Sequence, residues 1–125
     1  MTIFVRDQDR ARAFYVDVLG WDLLSDENYT GVDGELLRWL EVRPPHGQTA
    51  VTLAAARSSL REVRSQSSLT LRASELETTV IELKRRGVVF TSEITQSPMA
   101  KYTHFSDPDG YIWTVQELRL RSTWR

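Results

Sequence analysis

Few side chains in this sequence are suited to chemistry. Tyr102 and His104 lie two residues apart in the strand-like run Lys101 to Phe105, so they share one face. An imidazole, with a reference pKa of ~6.5, could serve there as a general base. No carboxylate partner is visible beside it, which favours a hydrogen-bonding role over a catalytic one. The other histidine, His46, sits in Pro44-Pro45-His46-Gly47 and reads as a solvent-facing turn residue. Arg38 could grip an anionic group through two parallel hydrogen bonds. Its neighbour Trp39, on the opposite face, could stack on a planar ligand, but its size assigns it to the core. Tyr29 falls in a stretch rich in Asn, Asp and Gly and could cover a cleft as a loop residue. There is no cysteine, which excludes disulfides, thiolate catalysis and cysteine-based metal sites. A Gly-x-Ser-x-Gly elbow, a Gly-rich phosphate loop and His-Glu-x-x-His are all missing.

The elements that must carry these residues follow from periodicity and punctuation. Met1 to Arg6 is β-prone. A helix is expected from Asp9 to Leu19, started by Asp7 or Asp9 and closed by Gly20. Strands are expected over Trp21 to Ser25, Glu35 to Val42 and Thr49 to Ala54, with a loop from Asp26 to Gly34. The order then repeats. A strand over Ser67 to Ala73 leads to Ser74-Glu75-Leu76-Glu77, which has the form of a capping box. The helix behind it ends at Gly87. Strands over Val88 to Ile94, Lys101 to Phe105 and Tyr111 to Leu118 follow. Asp107-Pro108-Asp109-Gly110 has the residue preferences of a type I turn and predicts a hairpin.

A chain of 125 residues fits one domain able to bury its own core. The expected divisions are an N-terminal module over 1–56, a connection over 57–66, a C-terminal module over 67–118 and a tail over 119–125. Hydrophobic residues at 41% and charged residues at 26% are ordinary globular values. The net charge of -1 gives no global field for nucleic acid, and the arginines at 57–64 and 119–125 read as solvated segments. No apolar run reaches the ~20 residues of a membrane helix. The opening residues show no basic segment followed by an apolar core, so the cytoplasm is the expected location.

Three segments together resemble the vicinal oxygen chelate superfamily of glyoxalases, bleomycin-resistance proteins and extradiol dioxygenases. They are Val5 to Trp21, with Phe14-Tyr15 and Leu19-Gly20; Leu83 to Phe90, around Gly87; and Phe105 to Tyr111, with the Asp-Pro-Asp-Gly turn. The resemblance implies an α+β fold of two βαβββ modules forming a curved, incomplete-barrel mixed sheet with helices outside. It also implies a homodimer. Metalloenzymes of that family hold an ion with His and Glu side chains on four strands. Carried onto this sequence, those positions fall at or before Met1 and at Thr52, Ser68 and Thr114. None is a His, Asp or Glu, and neutral hydroxyls cannot hold a divalent ion, so no metal and no cofactor are expected.

Alternation places Thr114 beside Gln116 with Trp113 and Val115 opposite, and Ser68 beside Thr70 and Arg72. The expected ligand-binding set is therefore Arg38, Thr52, Ser68, Thr70, Tyr102, His104, Thr114 and Gln116, with His104 the one catalytic candidate. The expected function is binding of a small organic molecule in a metal-free cleft, the reaction, if any, unassigned. A metal-dependent lyase or dioxygenase, and a non-catalytic partner-binding domain, are the competing readings.

Overall fold

Ile3 and Val5 alternate with Thr2 and Phe4, and this two-residue period makes Thr2–Val5 a strand with one buried face. The computed structural model describes residues 1–45, 47, 49–56 and 69–118. Expectations placed on His46, Ser67, Ser68, the connection at 57–66 and the tail at 119–125 lie outside the described residues. The chain divides into two compact units, Met1–Gln66 and Ser67–Arg125.

In the first unit, β1 (Thr2–Val5) leads to α1 (Gln8–Arg12), then β2 (Asp22–Thr30), β3 (Leu36–Arg43) and β4 (Val51–Ala55). The sheet order is β1-β4-β3-β2, with β1 parallel to β4 and the other pairs antiparallel. Asp7 caps α1 as expected, accepting from the backbone N–H of Arg10 at 3.1 Å. Gln8 Nε2 donates to the carbonyls of Leu53 (2.8 Å) and Arg38 (3.2 Å), which ties the helix start to the sheet. The second unit repeats the order with β5 (Leu69–Arg72), α2 (Leu76–Arg85), β6 (Val89–Phe90), β7 (Thr95–Gln96), β8 (Ala100–Ser106) and β9 (Ile112–Leu118). Its sheet runs β5-β9-β8-β6, with β7 also pairing β8. The architecture is thus mixed α+β with two sheets. Among the described residues neither sheet closes into a barrel.

The expected single helix changes character midway. From Ala13 to Val18 it is a π-helix, and the Leu19 N–H reaches back five residues to the Phe14 carbonyl at 2.9 Å. Ala11, Tyr15 and Leu19 are all buried, at intervals of four. In an α-helix that spacing drifts by roughly 40° per step, and the wider turn offsets it. Tyr15 then packs on Trp21 with ring centroids 5.0 Å apart.

Three other expectations are corrected. β2 continues through Asp26 to Thr30, so Tyr29 belongs to a strand, and the hairpin tip is Gly31 to Glu35. Polar Thr91-Ser92-Glu93 interrupts the sixth strand, where Thr103 Oγ1 donates to the Ser92 carbonyl at 2.8 Å. The capping box of Ser74 and Glu77 does not form. Glu117 Oε1, from β9, accepts from the Leu76 N–H at 2.8 Å, while Glu77 is drawn to Lys101 Nζ at 2.7 and 3.0 Å. That ion pair lowers the Glu77 pKa and raises that of Lys101. Glu117→Ala should therefore lower stability by about 1 kcal/mol in urea unfolding, the usual worth of a cap. Glu77→Ala should cost less.

Candidate functional site

In the second unit, burial separates the two sheet faces. Trp113, Val115, Thr103 and Phe105 are buried, on the face that α2 covers with Leu76 and Val80. The alternate residues of the same strands are partly exposed. Register brings six of them together. Thr114 lies between Thr70 on parallel β5 and His104 on antiparallel β8, and Gln116 lies between Arg72 and Tyr102. His104 Nδ1 and Thr114 Oγ1 are 3.0 Å apart, a hydrogen bond whose donor depends on the imidazole tautomer. The Tyr102 and His104 rings sit 5.9 Å apart. Backbone hydrogen bonding across three strands thus fixes a polar row with an oriented imidazole.

Arg72 was not singled out from the sequence, although the alternation that groups it with Thr70 was there to be used. It is exposed on this face, and its side chain has no hydrogen-bond or ion-pair partner among the described residues. Arg38 is the opposite case. It lies on the helix side of β3 with buried Leu40 and Val42, where its guanidinium is occupied. Nε and Nη2 donate to Asp26 at 2.7 and 2.8 Å, and Nη1 donates to Asp9 at 2.5 Å. These carboxylates already take the fork that an anionic ligand would need, so an anion at Arg38 would have to displace them. Ser68 lies outside the described residues.

Thr52 belongs to the first unit, on the face of the sheet away from α1. It pairs with Thr2 on β1 and Glu41 on β3. Trp39 is on this open face too, 43% exposed, and so is not the core residue its size suggested.

The hydroxyls of Thr2 and Thr52 in one unit, and of Thr70 and Thr114 in the other, are poor donors for a divalent cation. Among the described residues no three His, Asp or Glu side chains come together. The donor set does not fit the metal chemistry that the resemblance brings with it. What the second face offers instead is neutral donors and acceptors, one imidazole and one guanidinium, held by rigid strands.

A family model described as "Glyoxalase/Bleomycin resistance protein/Dioxygenase superfamily" matches residues 1–115. Over 117 residues the chain is 24% identical to the uncharacterized protein YetH of Bacillus subtilis (strain 168), covering 94% of each chain. It is similar in structure to TnmS3, an antibiotic binding protein from Streptomyces sp. CB03234. The TM-score is 0.76 at 29% identity, over 94% of this chain and 92% of that one. A superfamily member from Sphaerobacter thermophilus DSM 20745 matches with TM-score 0.75 and 30% identity, over 94% and 93%.

Proposed function

The chain belongs to the glyoxalase/bleomycin resistance protein/dioxygenase superfamily, and from that premise we propose that it binds a small organic molecule without a metal ion held by its side chains. The observation that carries this reading is the His104–Thr114 hydrogen bond on an open strand face, flanked by Thr70, Gln116, Tyr102 and Arg72. A few convergent polar groups on rigid elements are what orients a bound ligand. The similarity to TnmS3, an antibiotic binding protein, supports the same class. Thr52, on the open face of its own unit, is proposed as a separate ligand contact, and Ser68, two residues before Thr70 in the sequence, stays in the proposed set. His104 is assigned to orienting the ligand, because among the described residues its ring is hydrogen-bonded to a hydroxyl and not to a carboxylate. The proposed setting is a cytoplasmic homodimer that takes no nucleic acid.

Calorimetry and thermal shift of the full chain test it, using bleomycin, planar aromatic antibiotics and small anionic metabolites. At least one should bind saturably and raise the melting temperature by mass action. His104→Ala and Thr114→Val should each weaken that ligand roughly five- to tenfold, the worth of one hydrogen bond. A flat response across the panel would favour a partner-binding domain. Elemental analysis bears on the other half: a stoichiometric divalent metal surviving dialysis overturns the metal-free reading.

A further inference from the structure

The open face of the first unit carries chemistry that the polar row does not use. Trp39 is 43% exposed there, and Tyr29, on the neighbouring strand, is 45% exposed. Glu27 lies directly opposite Trp39 in the β2–β3 ladder, and Tyr29 lies opposite Leu37. Directly opposed residues share a face, with Cβ atoms roughly 5 Å apart. Glu41 follows Trp39 on the same face two residues along β3, opposed by Ser25 on one side and Thr52 on the other. An exposed indole is thus bracketed by two carboxylates. Among the described residues, neither the Glu27 nor the Glu41 side chain makes a hydrogen bond or ion pair. Arg43, next in the same alternation, is paired with Asp22 at the end of the strand.

We infer that this face binds a planar aromatic cation, stacked on Trp39 and held by the charges of Glu27 and Glu41. An indole face attracts a cation through its quadrupole, more strongly than Phe or Tyr does. A flat ring system also gains contact area on the indole that a compact ammonium does not. The carboxylates add attraction for positive charge and repel an anionic ring of the same shape. The inference rests on the small-molecule reading above and adds the charge class of the ligand, through residues that reading does not invoke.

The probe is proflavine, a planar cation, titrated into the full chain and followed by fluorescence polarisation. Acridine at about pH 8, the same ring system uncharged, and anthraquinone-2-sulfonate, a planar anion, are the comparisons. Proflavine should bind saturably and at least tenfold more tightly than either. Trp39→Ala should weaken it roughly tenfold and Trp39→Phe less, which preserves a ring and guards against a folding artefact. The double variant Glu27→Gln/Glu41→Gln should weaken it about three- to tenfold. Raising NaCl from ~50 to ~500 mM should weaken binding to the unaltered chain and scarcely affect the double variant.

Any of five outcomes overturns the inference. The first is equal or tighter binding of the anion or of acridine. The second is proflavine binding unchanged in both the Trp39 and Glu variants. The third is no saturable binding of proflavine. The fourth is a dimer that dissociates on Trp39→Ala, which would assign the face to a second copy of the chain. Probe binding lost in His104→Ala and Thr114→Val but not in Trp39→Ala would defeat this inference alone and leave the broader binding function standing.

Discussion

Replacing Asp107 by Ala is expected to lower stability by about 3 kcal/mol and the melting temperature by roughly 10 °C. The carboxylate of this buried residue closes the β8–β9 hairpin. Its Oδ1 accepts from the backbone N–H groups of Asp109 (2.9 Å) and Tyr111 (2.8 Å), both buried bonds. The backbone makes the rest of the turn, with the Gly110 N–H on the Asp107 carbonyl at 3.0 Å and the Asp107 N–H on Tyr111 at 2.9 Å. Alanine would leave two donors buried without an acceptor, each costing on the order of 1–3 kcal/mol. Asparagine keeps an acceptor at the same place, so Asp107→Asn should lose about 1 kcal/mol or less. Urea unfolding of the two variants separates acceptor geometry from charge. Equal losses would mean that charge matters and the turn geometry does not. Ligand binding should suffer with the first variant, because this hairpin sets the register that brings His104 opposite Thr114.

What was legible in the sequence was local. Alternation over Ile112 to Leu118 separates Trp113 and Val115 from Thr114 and Gln116, and burial divides the faces along that line. Gly20, Gly87 and Gly110 have positive φ where a helix or turn had to close. The family resemblance carried the two-module architecture. What was not legible depended on partners distant in sequence. The Leu76 N–H is capped by Glu117, 41 residues away, so the local capping box had a competitor that no local pattern reveals. Asp26 to Thr30 has loop composition, yet pairing with β3 and the bridges from Arg12 and Arg38 to Asp26 hold it as a strand. Arg38 reads as a free anion grip only because the acids that occupy it come from α1 and β2. Arg72 shares its face with Thr70 by simple alternation, so its place in the polar row is legible from local spacing. Trp39 was assigned by size, which says nothing about which sheet face a helix covers.

The second large effect concerns the ion-pair cluster behind that open face. Asp26 accepts two bonds from Arg38 and one from Arg12, its side chain 17% and that of Arg38 22% exposed. The Arg38 hydrogen bonds are the main cause holding the Asp26 pKa at about 2, below the ordinary 3.8, with Arg12 adding to them and burial opposing. A carboxyl with a depressed folded pKa contributes stability that is fully present above its unfolded pKa. That contribution is lost as pH falls through the folded value. On this linkage Asp26 is worth on the order of 2 kcal/mol at neutral pH. Asp26→Asn should cost about 2–3 kcal/mol there, since it also leaves the Arg12 and Arg38 guanidinium groups facing each other with only the exposed Asp9 carboxylate on Arg38 as counter-charge. Asp9→Asn should change little, because that carboxylate is 86% exposed. The pH dependence is the sharper test. Below about pH 4 the unaltered chain begins to lose what the variant never had, so the gap between them should narrow and close near pH 2. A gap that stays constant to pH 2 would mean that Asp26 acts through packing. The register of β2 against β3, which turns Arg38 toward the helix and Trp39 away from it, would then be held by the backbone ladder and the buried side chains of Leu40 and Val42.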